Sequence, residues 1–317
     1  MENKILLVGV GSMSYEYVKV LNALAIPFVA VGRGEKSANE FKEKTGHEVF
    51  SGGIEAFLNT TNERFEKAIV TVNVASLSEV SEILIRHNIK EILLEKPGGE
   101  TISQIISLAE LANDKKANVL LAYNRRFYGS VLEAEKIIKE DGGVQSFHFE
   151  FTEWIHVIEA MHLPKITLAN LFLNNSSHVV DLAFFLGGAP AQMSCYQSGE
   201  LSWHPSGAVF SGAGITSKNA LFSYQANWNA PGRWSVELCT KLHRLYFRPL
   251  EALQIQEKGT VQIIPFSFDN SLDTNFKPGL YLQTKNFIEH RYERFCTIQQ
   301  QATSAIDFYQ KIAGYSI

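Results

Sequence analysis

The sequence has few cysteines and no long apolar run. Its three cysteines, Cys195, Cys239 and Cys296, are far apart and odd in number, which excludes a disulfide framework and a CxxC metal or redox motif. No apolar run approaches the roughly 18 residues of a membrane span, and the one near the N-terminus is too short for a signal-peptide core. We therefore expect a protein of a reducing compartment, the cytoplasm, with no membrane partner.

The chain also lacks a block of like charge. It has 29 Lys and Arg against 33 Asp and Glu, a net charge of −4. A protein that follows a nucleic-acid backbone needs a basic stripe to neutralise phosphates, and the scattered cations here do not supply one. We expect small molecules, and no nucleic acid, as partners.

Length and composition indicate two folded domains. At about 150 residues per domain, a chain of 317 residues favours two. Hydrophobic residues make up 45% and charged residues 20%, which is ordinary for globular proteins and excludes disorder and coiled coil.

Residues 1–122 alternate short apolar runs with amphipathic stretches. Continuous apolar strands imply burial on both faces, and each amphipathic stretch is long enough to cross over a parallel sheet. The pattern predicts a doubly wound α/β domain with a parallel sheet. The expected strands are 5–10, 28–31, 68–72, 89–94 and 119–122, and the expected helices are 15–25, 38–45, 77–87 and 102–113. Ser76 and Thr101 are the expected starts of the last two helices.

Residues 123–317 show a different pattern, which predicts a second, α+β domain. A helix over 129–140 is followed by a strand over 144–151, an apolar helix over 179–186 and several strands between 193 and 264. These strands predict an open, largely antiparallel sheet, with Val209, Phe222 and Tyr224 on its open face. Two closing helices, 280–295 and 302–312, would pack on either domain, and the sequence does not decide which.

A glycine motif follows the first predicted strand. Gly9-Val10-Gly11-Ser12-Met13-Ser14 matches GxGxx(G), with serine in the last place. The first glycine permits a tight turn, the second lets the backbone approach a pyrophosphate, and the phosphate would lie on the helix N-terminus. The alternative is a plain glycine-rich turn. The position of the motif between a strand and a helix of a βαβ pattern favours a dinucleotide site.

The second strand ends in Val31-Gly32-Arg33-Gly34, where an NAD site usually has an acidic residue for the ribose 2′-hydroxyl. Glycine in that place removes the repulsion of a 2′-phosphate, and Arg33 would hold one, with Lys36 and Ser37 behind it. We expect NADP in preference to NAD. The alternative is that Arg33 is a solvated loop cation.

Polar motifs follow the next strands. Glu95-Lys96-Pro97 comes at the end of the fifth strand, Asn124-Arg125-Arg126-Phe127 after the sixth, and His178 and Asp181 at the start of an apolar helix. The carboxyl ends of parallel strands are where doubly wound folds bind ligands. With the glycine turn, these motifs resemble the Gfo/Idh/MocA family of NAD(P)-dependent oxidoreductases, which act mostly on sugars, cyclitols and nucleotide sugars.

The resemblance implies an N-terminal Rossmann domain, a C-terminal α/β domain and a homodimer or homotetramer formed through the C-terminal sheet. It implies that Lys96 hydrogen-bonds the reacting oxygen and that His178 is the general acid/base. The implied cofactor-binding residues are Gly9, Gly11, Ser12, Met13, Gly32, Arg33, Asn73, Glu95, Lys96 and Asn124. The expected substrate contacts are Lys96, Asn124, Arg125, Trp154, Asn174, His178 and Arg233.

The chain departs from the family pattern at Asn174, where the family usually has an aspartate four residues before the histidine. Asparagine can hydrogen-bond a substrate hydroxyl, but it cannot stabilise an imidazolium by charge. Asp181 would orient His178 instead, or it would pair within the fold. Two alternatives to a sugar dehydrogenase follow: a catalytically impaired NADP-binding sensor or partner subunit, and a reductase of a non-sugar substrate such as a bilin. His156, Glu159 and His162 share a helical spacing, but we expect no metal.

Overall fold

The computed structural model describes residues 4–315, which form two compact units. Over these described residues, the first unit comprises 4–124 and 274–303, and the second comprises 125–273 and 304–315. The chain first passes from one unit to the other after Asn124, two residues beyond the expected domain boundary at 122. A later segment, 274–303, returns to the first unit, which the sequence pattern did not indicate.

The first unit contains a seven-stranded sheet in the order β15-β6-β5-β4-β1-β2-β3. Its first six strands pair in parallel, and β15 is antiparallel to β6. The doubly wound parallel sheet expected from the sequence is confirmed. The strands are β1 (Ile5–Val8), β2 (Phe28–Val31), β3 (Val49–Phe50), β4 (Lys67–Val70), β5 (Glu91–Leu94), β6 (Asn118–Leu121) and β15 (Cys296–Thr297).

Amphipathic helices flank the strands of this sheet. They are α1 (Ser12–Ala23), α2 (Glu35–Thr45), α3 (Ile54–Thr60), α4 (Leu77–Arg86), α5 (Ile102–Asp114), α11 (Leu280–Ile288) and α12 (Ile298–Ser304). Thr101 begins α5 with a reciprocal capping box to Gln104, as its sequence position predicted. Ser76 precedes α4 without a side-chain capping bond. The short elements β3 and α3 were not predicted, because neither is long enough to show a period.

The closing stretches divide between the two units. The helix predicted over 280–295 ends at Ile288, and His290 takes a left-handed backbone conformation (φ 58°) before the chain enters β15. Helix α11 packs against α1 in the first unit. The stretch predicted over 302–312 contains a π-helical turn, Ala305–Tyr309, and the short helix α13 (Gln310–Ala313), which packs on strands of the second unit.

The second unit is built on an eight-stranded sheet in the order β14-β13-β12-β11-β7-β10-β9-β8. Only β7 and β10 pair in parallel among these strands, so the expected open, largely antiparallel sheet is confirmed. The strands are β7 (Ser146–Glu150), β8 (Pro190–Ser198), β9 (Val209–Thr216), β10 (Leu221–Asn227), β11 (Ser235–Cys239), β12 (His243–Phe247), β13 (Gln254–Glu257) and β14 (Ile264–Pro265).

An apolar helix covers one face of this sheet. The helices of the second unit, besides α13, are α6 (Gly129–Glu140), α7 (Ile155–Ala160), α8 (Lys165–Ala169), the apolar α9 (Ser177–Gly187) and α10 (Ser271–Asn275). The chain returns to the first unit within α10. Helix α9 lies on β7, so closely that a Cβ added to Gly187 would lie 2.2 Å from the Phe147 ring. None of the helices within residues 4–315 is long and apolar enough to cross a membrane.

Two of the three residues expected on the open face of the second sheet, Phe222 and Tyr224, lie on its covered face. Phe222 and Tyr224 are only 3% and 1% exposed, because they point toward α9 and pack against Phe147 and Phe149. Side chains alternate along a strand, so the exposed residue is their neighbour Leu221, at 62%. A one-residue error in assigning the faces accounts for Phe222 and Tyr224. Val209 pairs with Asn227, lies on the uncovered face as expected and is partly exposed.

Candidate functional site

The glycine turn joins β1 to α1 as its sequence predicted. Gly9 has φ +115°, and a Cβ there would lie 2.6 Å from the Thr71 hydroxyl oxygen, so only glycine fits. Gly11 is the N-cap of α1, makes no side-chain capping bond and has open space where a Cβ would stand. The first N–H groups of a twelve-residue helix therefore face an opening that suits an anion.

A cavity of about 630 Å³ lies beside this turn, at the carboxyl ends of β1, β2 and β4. Five of the predicted cofactor residues line it: Gly9, Gly11, Gly32, Arg33 and Asn73. Ser12 and Met13 lie in the first turn of α1. Glu95, Lys96 and Asn124 are not among the lining residues. A cavity of this size is of the order that small-molecule and cofactor sites occupy.

The residue after β2 is a glycine in a crowded position, where the sequence indicated that the usual acidic residue is missing. A side chain at Gly32 would meet Val10 at 2.8 Å, so this position has no room for a carboxylate. Arg33 is exposed and lines the cavity with Ser37. Glu55, at the start of α3, also lines it, together with Glu79. Neither carboxylate was expected from the sequence, because α3 was not predicted and Glu79 lies within a predicted helix.

Asn73 has a structural bond of its own. Its side-chain oxygen accepts a hydrogen bond from the Ser76 backbone N–H at 3.1 Å, which caps the turn before α4. The residue is exposed at the cavity's edge. The capping role and a cofactor contact are compatible, since the amide nitrogen is the other end of the side chain.

Glu95 directly follows β5 and joins a small, largely buried hydrogen-bond network. The Tyr17 hydroxyl donates to Glu95 at 3.2 Å and accepts from the Gln283 amide at 3.0 Å. Burial raises the pKa of the Glu95 carboxyl, and the neighbouring Lys96 and the Tyr17 hydrogen bond oppose that rise. Burial likewise holds the Tyr17 pKa well above its ordinary value. Neither Tyr17 nor Gln283 could be predicted as a partner of Glu95, because both come from distant segments.

Lys96 follows directly and is partly buried, and its peptide bond to Pro97 is cis. The Pro97 carbonyl accepts a hydrogen bond from Gln301 at 3.2 Å. Asn124 begins a 3₁₀ turn after β6 and donates its side-chain amide to the Pro278 carbonyl at 2.9 Å. The segment that returns to the first unit thus holds both motif loops.

In the second unit, a π-helical turn leads into α9. The turn spans Phe172–Ser176, and His178 lies in the first turn of α9, 8% exposed, with its ring centroid 6.1 Å from that of Trp234. Asn174 donates its amide to the Thr167 carbonyl at 3.1 Å. π-helical turns within helices are frequent at functional sites.

Asp181 pairs within the fold. Both of its carboxylate oxygens accept from the Arg126 guanidinium, at 2.6 and 2.8 Å, and the two side chains are 5% and 13% exposed. The Arg126 guanidinium also lies 4.7 Å from the Phe185 ring centroid. Of the two interpretations that the sequence left open, the structure supports the internal ion pair.

Two arginines and two tryptophans form a stack, which we call the arginine–tryptophan stack. The Arg233 guanidinium lies 4.6 Å from the Trp154 ring centroid and 4.7 Å from that of Trp234. The Arg125 guanidinium lies 4.8 Å from the same Trp234 ring. Three predicted substrate contacts, Arg125, Trp154 and Arg233, are thus brought together, and His178 lies against the same stack. Trp154 is 47% exposed.

A buried carboxylate that the sequence analysis missed lies beside this stack. Glu153 is 2% exposed and accepts from the Ser176 hydroxyl at 2.7 Å and from the Asn175 amide at 3.0 Å. Arg233 lies 3.7 Å from its second oxygen. The available signal was its place just after the alternating strand β7, beside Trp154.

The His156, Glu159 and His162 spacing does not form a metal site. His156 stacks on Trp154, and Glu159 accepts a hydrogen bond from Trp203 at 2.9 Å. Within residues 4–315, no group of three or more His, Cys, Asp or Glu side chains is arranged to hold a metal ion.

Sequence comparison addresses the first unit. Residues 3–123 match the model of GFO_IDH_MocA, described as an oxidoreductase family with an NAD-binding Rossmann fold. Over these residues the chain is similar to the Gfo/Idh/MocA oxidoreductase family. The family resemblance seen in the motifs is thereby confirmed, and so is the Rossmann fold expected of the Gfo/Idh/MocA domain. Among curated proteins, none matches the chain.

Solved structures with a similar fold cover nearly the whole chain. A dehydrogenase (MviM) from Clostridium difficile has a TM-score of 0.78 at 16% identity, covering 98% of this chain and 99% of that one. Levoglucosan dehydrogenase in complex with NADH and L-sorbose has a TM-score of 0.76 at 16% identity, with coverages of 98% and 95%.

A third similar structure is UDP-N-acetylglucosamine 3-dehydrogenase GnnA from Acidithiobacillus ferrooxidans. Its TM-score is 0.73 at 11% identity, with coverages of 99% and 98%. At these identities the likeness concerns the fold alone, and it covers both units.

Proposed function

We propose that the protein transfers a hydride between NADP(H), or NAD(H), and a carbinol or carbonyl carbon of a sugar-like substrate. The observation that carries the proposal is the cavity at the strand ends of the first unit. It joins an uncapped helix N-terminus, a glycine turn without room for a side chain and an exposed arginine. These are the donors and the open backbone that a dinucleotide requires.

The preference for NADP rests on Gly32 and Arg33. An acidic residue at the end of β2 would repel a 2′-phosphate, and Gly32 has no space for one. Arg33 offers a planar cation that suits phosphate oxygens. Glu55 and Glu79 line the same cavity, and their negative charges act against binding of the 2′-phosphate. The relative affinity for NADPH and NADH therefore tests this part of the proposal directly.

The bound nicotinamide would supply the hydride acceptor or donor. For the chain's own residues we propose that Lys96 hydrogen-bonds the reacting oxygen and that His178 accepts or donates the hydroxyl proton. Hydride leaves a carbinol carbon only as the hydroxyl proton is removed, and imidazole titrates near neutral pH. Asn174 would help to hold the turn before α9 in place, because its side-chain amide is bonded to the Thr167 carbonyl.

We propose a carbohydrate-like substrate for the second unit. The arginine–tryptophan stack presents an exposed indole, Trp154, beside the half-exposed Arg233. An aromatic face suits the apolar face of a sugar ring, and the guanidinium suits hydroxyl or anionic oxygens. Relatives of similar fold act on levoglucosan and UDP-N-acetylglucosamine, which gives a first panel of compounds to test.

The first experiment is a fluorescence titration of the purified protein with NADPH and, separately, with NADH. We expect tighter NADPH binding, and we expect Arg33→Ala to weaken NADPH binding by about tenfold to a hundredfold while NADH binding changes little. Arg86→Ala is the matched control, an exposed arginine of α4 that does not line the cavity. Binding of neither nucleotide would overturn the proposal.

The second experiment measures turnover. Absorbance at the nicotinamide band, with levoglucosan, L-sorbose and UDP-N-acetylglucosamine as substrates, would detect oxidation or reduction. We expect His178→Asn and Lys96→Ala to abolish turnover while NADPH binding is kept in the His178 variant. Retained turnover in the His178 variant would remove the acid/base role from this residue.

We further propose a cytoplasmic homo-oligomer. Its three cysteines are free, which suits a reducing compartment. The uncovered face of the second sheet carries Leu221 at 62% and Tyr196 at 69% exposure, which a second copy would cover. Light scattering at micromolar concentration tests this, with Leu221→Asp expected to shift the protein toward the monomer. A monomeric wild type would refute it.

A further inference from the structure

We propose that Glu153 is the positioning carboxylate of this active site, holding the turn that presents His178 and supplying the negative charge that residue 174 lacks. The inference rests on the proposed role of His178 as acid/base. It assigns to the end of β7 a function that the sequence motif would have placed on the turn before α9.

The contacts of Glu153 are directed at that turn. One carboxylate oxygen accepts from the Ser176 hydroxyl at 2.7 Å and the other from the Asn175 amide at 3.0 Å. These two residues end the π-helical turn, and His178 follows Ser176 by two positions. A carboxylate bonded through both oxygens to consecutive residues fixes their orientation, and with it the start of α9.

Asn174 is bonded in the opposite direction. Its amide donates to the Thr167 carbonyl at 3.1 Å, in the middle of α8. A carboxylate in that position has no proton to donate and would meet the carbonyl oxygen with like partial charge. The local backbone therefore suits asparagine at 174, and the charged acceptor is Glu153, from the segment after β7, which bonds the next two residues.

The charged groups that face Glu153 are cationic. Arg233 lies 3.7 Å from it, and Arg125, buried on the far part of the stack, also interacts with it electrostatically. Asp181, the carboxylate on α9 itself, is bonded to Arg126 through both oxygens. The partners from the π-helical turn, Asn175 and Ser176, are neutral.

Burial leaves this carboxyl poised near neutral pH. Desolvation raises the pKa of Glu153 to about 7, while the Ser176 hydrogen bond and the charge of Arg233 act against the rise. Glu153 is bonded to Ser176, two residues before His178. We therefore expect the proton affinity of His178 to depend on whether Glu153 is ionised, because an anion in the surroundings stabilises an imidazolium.

The test follows the His178 imidazole by nitrogen-detected NMR as pH is varied, with the signal assigned by its loss in His178→Gln. Glu153→Gln keeps the shape and removes the charge. We expect it to lower the His178 midpoint by about one pH unit, a tenfold change in proton affinity. Ser176→Ala keeps the charge and removes one bond. We expect a smaller midpoint change and a broadened or shifted His178 signal.

Asp141→Asn is the matched control. Asp141 is a buried carboxylate of the same unit, bonded to Thr240 and His243 away from the stack, and we expect no change at His178. An unchanged His178 midpoint in Glu153→Gln, with the variant folded by circular dichroism, would overturn the inference. A midpoint that moves equally in the Asp141 control would overturn it as well.

Two further readouts separate this inference from the proposed function. NADPH titration of Glu153→Gln should match the wild type, because the cavity residues all belong to the first unit. Once a substrate is found, kcat should fall about tenfold and its acidic limb should move with the His178 midpoint, whereas KM changes little. If no nucleotide binds, the proposed function fails while the NMR result still decides the role of Glu153.

Discussion

Replacing Glu153 by glutamine removes a buried ionisable group whose effect on stability can be worked from the structure. Burial raises the pKa of Glu153 to about 7 from an ordinary value of 4.5. The folded protein then holds this proton more tightly than the unfolded chain does. The contribution of the protonated Glu153 to the free energy of unfolding is greatest below pH 4.5 and is lost as the pH rises to about 7. The difference is about 3 kcal/mol.

Urea unfolding followed by tryptophan fluorescence measures this in the right part of the molecule. All four tryptophans, Trp154, Trp203, Trp228 and Trp234, lie in the second unit, so the signal reports that unit. We expect the wild type to lose about 3 kcal/mol between pH 4.5 and pH 8 through this group, and Glu153→Gln to show a flatter profile.

Asp141 gives a control of opposite sign. Burial acts to raise its pKa, but hydrogen bonds from Thr240 and His243 outweigh burial, and the pKa lies below its ordinary value. Its contribution is present above the unfolded value and is lost as pH falls through the folded one. Asp141→Asn should therefore change the profile only on the acid side. Parallel wild-type and Glu153→Gln profiles between pH 4.5 and 8 would refute the reasoning.

Three further substitutions test other parts of the structure. Gly9→Ala should weaken NADPH binding at least tenfold, measured by fluorescence titration, because φ is +115° and the added methyl would lie 2.6 Å from a side-chain oxygen. Arg126→Met should destabilise the second unit by about 3 to 5 kcal/mol in urea unfolding, since Asp181 keeps a buried charge; unchanged stability would show that the pair is not desolvated. Asn174→Asp should cost about 1 to 3 kcal/mol near neutral pH and less at pH 4, because only the protonated acid can donate to the Thr167 carbonyl.

The sequence was most informative where local chemistry and position coincide. Gly9 and Gly32 follow strands at positions where a side chain has no room, and Gly11 is the N-cap of α1, in the strand-to-helix turn that the glycine motif predicts. The capping box at Thr101 is likewise a contact between near neighbours in the chain. Such features depend on residues within a few positions of one another, which a single sequence displays.

Contacts between distant segments could not be predicted in the same way. Gln283 bonds Tyr17 across 266 positions, and the return of residues 274–303 to the first unit has no local signal. The face assignment of Phe222 and Tyr224 failed for a related reason. Alternation shows that two faces differ, but the identity of the covered face depends on where α9 packs.

The departure at Asn174 shows why the absence of a motif residue is weak evidence about a site. From the sequence, asparagine in place of aspartate suggested a lost carboxylate and hence impaired catalysis. In the fold, the amide of Asn174 is needed by the Thr167 carbonyl, and a carboxylate from another strand end is bonded to the next two residues of the same turn. What an acid/base histidine requires is a negative group in its surroundings, and chain position is only one way to provide it. The charge on Glu153, rather than the residue at 174, is therefore the feature by which activity and impairment should be distinguished.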